Sequence, residues 1–148
     1  MSRVAEIIKP VFVALMAMFL SVICPVEQAL YILLFAACFN WFTGLVTDIH
    51  VNKAQFSLKK AFDAISQLMW YSVVVVFVNF ALVRMGDRVA ADQIVKWITY
   101  IVIYFYMVNI LRNTSLVFPG NKAVALMYEV LTTQIFLKLK EMLNLNKK

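Results

Sequence analysis

One histidine, two cysteines and three glycines among 148 residues leave little material for site chemistry. With His50 alone, a histidine-based metal site has no partners. Cys24 and Cys38 are too far apart for a CxxC pair, and both are expected to be buried free thiols. Gly44, Gly86 and Gly120 stand singly, so no glycine-rich loop cradles a phosphate, and no nucleophile is placed beside a base. The chain is therefore expected to be no enzyme and to hold no cofactor or metal. Charge is also scarce, at 15% of residues. The apolar runs show no period-two alternation, which removes a transmembrane β-barrel.

What is abundant is apolar. Hydrophobic residues make up 64% and aromatic residues 14% of the chain, with a mean hydropathy of +0.83. A 17.0 kDa chain of this composition has too little polar surface to coat a soluble globule. Four uncharged runs, residues 10–26, 28–47, 65–83 and 97–111, are separated by short charged breaks. Runs of this size approach the ~30 Å hydrocarbon layer at about 1.5 Å per helical residue. Because hydrocarbon cannot satisfy free backbone N–H and C=O groups, such runs must be helices. The expected fold class is an all-α integral membrane protein forming one domain over residues 1–148, with spans near 8–26, 28–49, 64–84 and 95–113.

The net charge of +6 is distributed by side. Arg3 and Lys9 precede the first run; Lys53, Lys59 and Lys60 follow the second; Arg112, Lys122, Lys138, Lys140, Lys147 and Lys148 follow or close the fourth. Only Arg84, Arg88 and Lys96 occupy the connection between runs three and four, where Asp87 and Asp92 offset them, and Glu27 alone separates runs one and two. By the positive-inside rule both termini are expected to be cytoplasmic. The basic surplus then marks topology and attraction to anionic lipid, at about 1 kcal/mol per cation near the surface, rather than nucleic-acid binding. The first run is read as a retained span and not a cleaved signal: Ile23 is large where cleavage needs a small residue, and Pro25 follows Cys24.

Polar residues inside the runs are ordered. Asn40, Thr43, Gly44, Thr47 and Asp48 form one stripe down a helical face. Lys96, Thr99, Tyr106, Asn109 and Asn113 form a second line in the fourth run. In lipid, small and hydroxyl residues let helices approach closely, and an asparagine finds a partner on another helix. These stripes either pack helices together or face water after oligomerisation. Arg112 lies near the cytoplasmic boundary, where it can snorkel to head groups. Trp70, Trp97, Tyr71, Tyr100 and Tyr104 are read as interfacial anchors or packing residues, and Trp41, set deeper, as packing.

Ser57 is expected to cap a helix beginning at Leu58, with Lys59 and Lys60 at the membrane face. Pro119-Gly120-Asn121 should break the fourth helix, with Asn121 capping an amphipathic helix over 121–145. Its apolar stripe is Val124, Met127, Leu131, Ile135, Leu139 and Met142. This helix would lie on the inner leaflet or pack between subunits.

Two of these stretches together resemble the bacteriophage holins of the toxin-secretion and phage-lysis type. That family carries Asp-x-x-Thr-Gly at the end of an early span, then a basic loop whose serine opens a helix. This chain has Asn40-Trp41-Phe42-Thr43-Gly44, then Lys53, Ser57, Leu58, Lys59 and Lys60. After the last span the family shows Ser-Ile-x-Glu-Asn and a proline-containing break; here stand Asn109-Ile110-Leu111-Arg112-Asn113 and Pro119-Gly120. The resemblance covers roughly residues 30–145. Asn40 replaces the family's Asp, Asn109 its Ser and Arg112 its Glu, so two acids are absent and one base is gained. The resemblance implies insertion in the bacterial inner membrane as a homo-oligomer that opens a lesion. The lesion would release a cell-wall hydrolase, an endolysin with which the chain makes no direct contact, or collapse the membrane potential. The residues also leave open a structural subunit that anchors a larger complex, and a small channel or transporter. For the last, Asp48 and Lys96 fall near span ends and no inverted repeat stands out.

Overall fold

The computed structural model describes residues 2–54, 57–134 and 137. The described chain is helical throughout and holds no strand among these residues. It runs through α1 (Ser2–Ile23), a 3-10 turn (Cys24–Val26), α2 (Glu27–His50), α3 (Leu58–Arg84), α4 (Arg88–Val117) and α5 (Lys122–Glu129), then a π-type turn (Val130–Gln134). Three helical stretches are long and apolar enough to cross a membrane: Pro10–His50, Leu58–Arg84 and Arg88–Val117.

Three stretches instead of four result from the first two runs, which join into one helical unit. A hairpin would need residues that reverse the chain, and Glu27 alone cannot do this. Its backbone is itself helical, at φ −50° and ψ −46°. Pro25 removes one N–H donor, and the local response is a 3-10 turn across which the helical stretch continues. α1 therefore does not pack along α2. Residues 10–21 are exposed throughout, and only Val22 and Ile23 are half-buried at the junction. The 41 residues of this unit would measure about 60 Å if straight, twice the ~30 Å of hydrocarbon.

The α3–α4 connection is tight because its residues satisfy both helix ends. Gly86 takes φ 85°, in the left-handed region. The Gly86 N–H donates to Val83 O at 3.1 Å and the Asp87 N–H to Leu82 O at 3.0 Å, the paired bonds of a Schellman ending. A residue with a Cβ would be penalised by about 1–2 kcal/mol in that conformation. Asp87 then caps α4, its carboxylate accepting from the Ala90 N–H at 2.9 Å. Ser57 occupies the expected position before α3, but its hydroxyl makes no capping bond.

α4 is the central helix, packed against α2, α3 and α5. Its buried residues, Ala91, Val95, Thr99, Val102, Tyr106 and Ile110, recur every three or four positions, with Leu111 beside them. α2 presents Leu33, Ala37 and Thr47, and α3 presents Val75 and Asn79. α2 and α4 run parallel with α3 antiparallel, since Gly44 and Thr47 meet Asn113 at one end while Ala29 and Thr99 line a common cleft at the other. The polarity is inverted relative to a soluble protein. Phe35, Trp70 and Phe77 are 76%, 70% and 67% exposed, whereas Thr47, Asn79 and Thr99 are each 4% exposed. Lipid suits the outside, and the buried polar groups need one another or water. Cys24 and Cys38 are free but exposed, not buried as expected, because they fall on the outward faces.

After Val117 the chain turns through Pro119-Gly120, and Asn121 caps α5 as expected, accepting from the N–H groups of Ala123 at 3.1 Å and Val124 at 3.3 Å. α5 packs back along α4 of its own chain. Tyr104 Oη donates to Leu131 O at 2.9 Å. Tyr104 lies about 20 Å up α4 from Val117 at 1.5 Å per residue. The half-buried face is Val124, Tyr128, Leu131 and Thr132, with Met127 turned outward at 53% exposure. Ile135, Lys138, Leu139, Lys140 and Met142 of the expected helix lie outside the described residues. A cysteine placed at Leu131, with Cys24 and Cys38 replaced by serine, is expected to resist a membrane-impermeant maleimide that labels a cysteine at Asn121. Equal labelling of both would mean that α5 lies free of α4.

Candidate functional site

The polar residues of α2 and α4 meet inside a single chain. Thr47 Oγ1 lies 2.9 Å from Thr43 O and 3.1 Å from Asn113 O, so one hydroxyl proton serves both a turn of its own helix and the neighbouring helix. Thr43 Oγ1 donates to Asn40 O at 3.0 Å. A Cβ on Gly44 would stand 3.5 Å from Asn113 Nδ2, so the small residue lets the two helices approach closely here. The α2 stripe, read as packing helices together or facing water after oligomerisation, is apposed to α4 of the same chain at Gly44 and Thr47.

Around this contact a cleft of about 390 Å³ opens between the C-terminal ends of α2 and α4 and the N-terminal end of α3. Asn40, Gly44, Asp48, Asn109, Arg112 and Asn113 line it, as do Ser57, Lys60, Asp63 and Gln67 from the α3 side. Asp48 Oδ2 accepts from Lys60 Nζ at 2.7 Å, and Asp48 Oδ1 accepts from Asn52 Nδ2 at 3.0 Å. The Lys60 ammonium is 63% exposed, so this pair fixes the α2–α3 loop more than it stabilises the fold. Arg112 and Asp63 face the same cleft without pairing. Its two carboxylates and two cations leave the lining neutral.

A second cleft of about 380 Å³ lies at the other end of the same interface. Gln28, Asn79, Asp92, Lys96, Thr99 and Tyr100 supply its polar groups. Thr99 Oγ1 bonds back to Val95 O at 2.7 Å. Asn79, though almost wholly buried, makes no side-chain hydrogen bond among the described residues. Here too one carboxylate and one ammonium balance.

Comparison with family models, curated proteins and solved structures finds no match to this chain. The site is therefore read from its own geometry.

Between the clefts stand Leu33, Ala37, Val75, Val102 and Tyr106, part of one apolar cluster. The Thr47–Asn113 contact joins residues 66 apart in sequence. In parallel helices that offset sets Asn40 level with Tyr106, and Leu33 with Thr99. Asn40 Oδ1 and Tyr106 Oη are the two buried side-chain atoms that have no hydrogen-bond partner among the described residues. The Tyr106 ring meets Tyr71 edge-on at 6.0 Å and 86°, which holds it in place without satisfying its hydroxyl.

Of the expected site residues, Asn40, Gly44, Asp48, Asn109 and Asn113 converge on the first cleft, Thr47 bonds across to α4 while Thr43 bonds within α2, and Thr99 lies in the second cleft. Of the expected surface cations, Lys53, Lys59 and Lys122 are exposed, Lys60 is paired, and Arg112 enters the first cleft. Lys138 and Lys140 lie outside the described residues. Sequence reasoning missed Asp63, Gln67 and Asn79. Asp63 and Gln67 are four residues apart on one helical face, and Asn79 is the sole polar residue between Ser72 and Arg84, a signal that was available. Trp41 gains an account: it separates the first cleft from a small apolar groove that includes Cys38, Ala61 and Leu68.

Proposed function

We propose that this chain is a holin-like membrane protein that permeabilises the bacterial inner membrane as a homo-oligomer and so releases a cell-wall hydrolase. In this reading the Cys24–Val26 turn opens into a reversal in the membrane, so that α1 and α2 become separate crossings, four in all, with both termini cytoplasmic and a basic, amphipathic C-terminal helix. The observation that carries permeabilisation is the inverted polarity: asparagines, threonines and two charge-balanced clefts line the α2–α4 contact beneath an apolar exterior. Costly polar groups inside a membrane face a bundle interior or a water-filled cavity, where they mark paths for water or ions. The word holin rests on the resemblance of residues 30–145. Residues 10–21 of α1 offer the means of association, since they are apolar but for Ser21 and exposed on the single chain.

The test is induced expression in a bacterium with and without a cytosolic cell-wall hydrolase, following membrane potential and turbidity. Abrupt, delayed depolarisation, with lysis only when the hydrolase is present, is the expected result. Continued growth at intact potential would favour instead an anchoring subunit with dry, permanently packed spans. The direct Thr47–Asn113 contact is what speaks for that second reading.

A further inference from the structure

The two clefts approach each other along one helical interface. At the register fixed by Thr47 and Asn113, the apolar segment between the Asn40–Tyr106 level and the Leu33–Thr99 level spans seven residues of α4, about 10 Å at 1.5 Å per residue. A bilayer presents ~30 Å of hydrocarbon to an ion. The two clefts thus bring polar side chains to within about 10 Å of each other, at about 1.5 Å per residue, inside a single protomer.

Unsatisfied atoms stand where a water file would enter the segment. A buried hydroxyl without a partner forfeits about 1–3 kcal/mol, and native proteins rarely leave one unless water reaches it. Tyr106 is 4% exposed and its Oη has no partner. Asn40 Oδ1, at the same level on the facing helix, has none either. A water at either atom would satisfy it and carry the first cleft toward the foot of the apolar segment. At the other end Asn79 and Thr99 are buried polar groups on α3 and α4 that line the second cleft.

We propose that the α2–α3–α4 interface of one protomer is itself a gated path for water and small monovalent ions, closed by the Leu33–Val75–Val102 segment. The inference deepens the permeabilising function and rests on it, but it places the first leak inside the protomer and not between protomers. The gate is hydrophobic: a narrow apolar constriction excludes water, and an ion cannot cross until added polarity wets it. Selectivity follows from the lining. Each cleft carries as many cations as carboxylates, so the path distinguishes poorly between K⁺ and Cl⁻. It passes nothing of protein size, and hydrolase release remains the work of the oligomer.

The test uses the full-length protein in vesicles of phosphatidylethanolamine and phosphatidylglycerol, over a range of protein-to-lipid ratios, with ion flux read by a potential-sensitive dye. Val75→Thr and Val102→Thr together keep the side-chain shape and add hydroxyls at the gate. Flux per chain is expected to rise about tenfold, equivalent to about 1.4 kcal/mol off the barrier. Tyr106→Phe removes an unsatisfied hydroxyl, so its fold is retained, and flux should fall. In both, flux should scale with the first power of protein density, and a KCl gradient should produce a reversal potential near zero. Flux that rises steeply with density and ignores all three substitutions would overturn the proposal and leave an inter-protomer pore standing. No flux from wild type or variants, at any density, would overturn both.

Discussion

Leu33→Ala is expected to lower the unfolding temperature in mild detergent more than any other truncation in the core, without increasing ion flux. Leu33 has no exposed surface and belongs to the cluster containing Val75 and Val102. Lipid tails are as apolar as leucine, so little of the loss is water exclusion; what disappears is packing against neighbours that relax only in part. Core changes of this kind cost about 2–5 kcal/mol. The cavity left behind is lined by carbon, and such cavities stay dry. Thermal unfolding by circular dichroism, paired with vesicle flux, separates packing from wetting. A marked increase in flux would show that the segment excludes ions by volume and not by its lack of polar atoms.

Gly44→Leu should separate α2 from α4, while Gly44→Ala should be tolerated. An added Cβ meets Asn113 Nδ2 at 3.5 Å, an ordinary van der Waals contact. Leucine extends past that point into the amide, and overpacking of a tight contact costs about 1–3 kcal/mol. The variant loses the Thr47–Asn113 bond and the boundary of the first cleft with it, so a lower unfolding temperature and loss of depolarisation in cells should appear together. An unchanged unfolding temperature, with crosslinked ladders of higher species abolished, would assign Gly44 to contacts between copies and not to the α2–α4 contact.

The helical runs were legible because length, lack of charge and lack of alternation are one-dimensional properties. So was the Asn121 cap, a local matter of one side chain and two N–H groups. The two polar stripes were legible as stripes, since the spacing of Asn40, Gly44 and Thr47 follows from helical geometry alone. Their partner was not. A stripe suited to close approach fits a second copy as well as another helix of its own chain, and only the parallel register of α2 and α4 selects between them. The expected break between runs one and two is present only as a 3-10 turn, for a different reason: one glutamate interrupts hydropathy without interrupting helical backbone, and no glycine-bearing loop stands beside Pro25. The α5 stripe was misread at Met127 because Tyr128, with its ring as apolar as its hydroxyl is polar, is the residue that packs on α4.

Composition by itself determined the solvent of this protein and the material of its fold: an apolar chain with scattered polar groups must be helical in lipid, since no other open structure satisfies its backbone there. Tertiary structure alone decided where those polar groups go. Their chain positions are far apart, from Asn40 through Asn79 to Asn113, and hydrophobic periodicity carries no information on which distant faces meet. Packing three helices around α4 brings them onto one interface, gathers them into two clefts, and leaves about 10 Å of hydrocarbon side chains between, at about 1.5 Å per residue. That thickness is a property of register, and register is set by contacts such as Thr47 with Asn113 that no local pattern specifies.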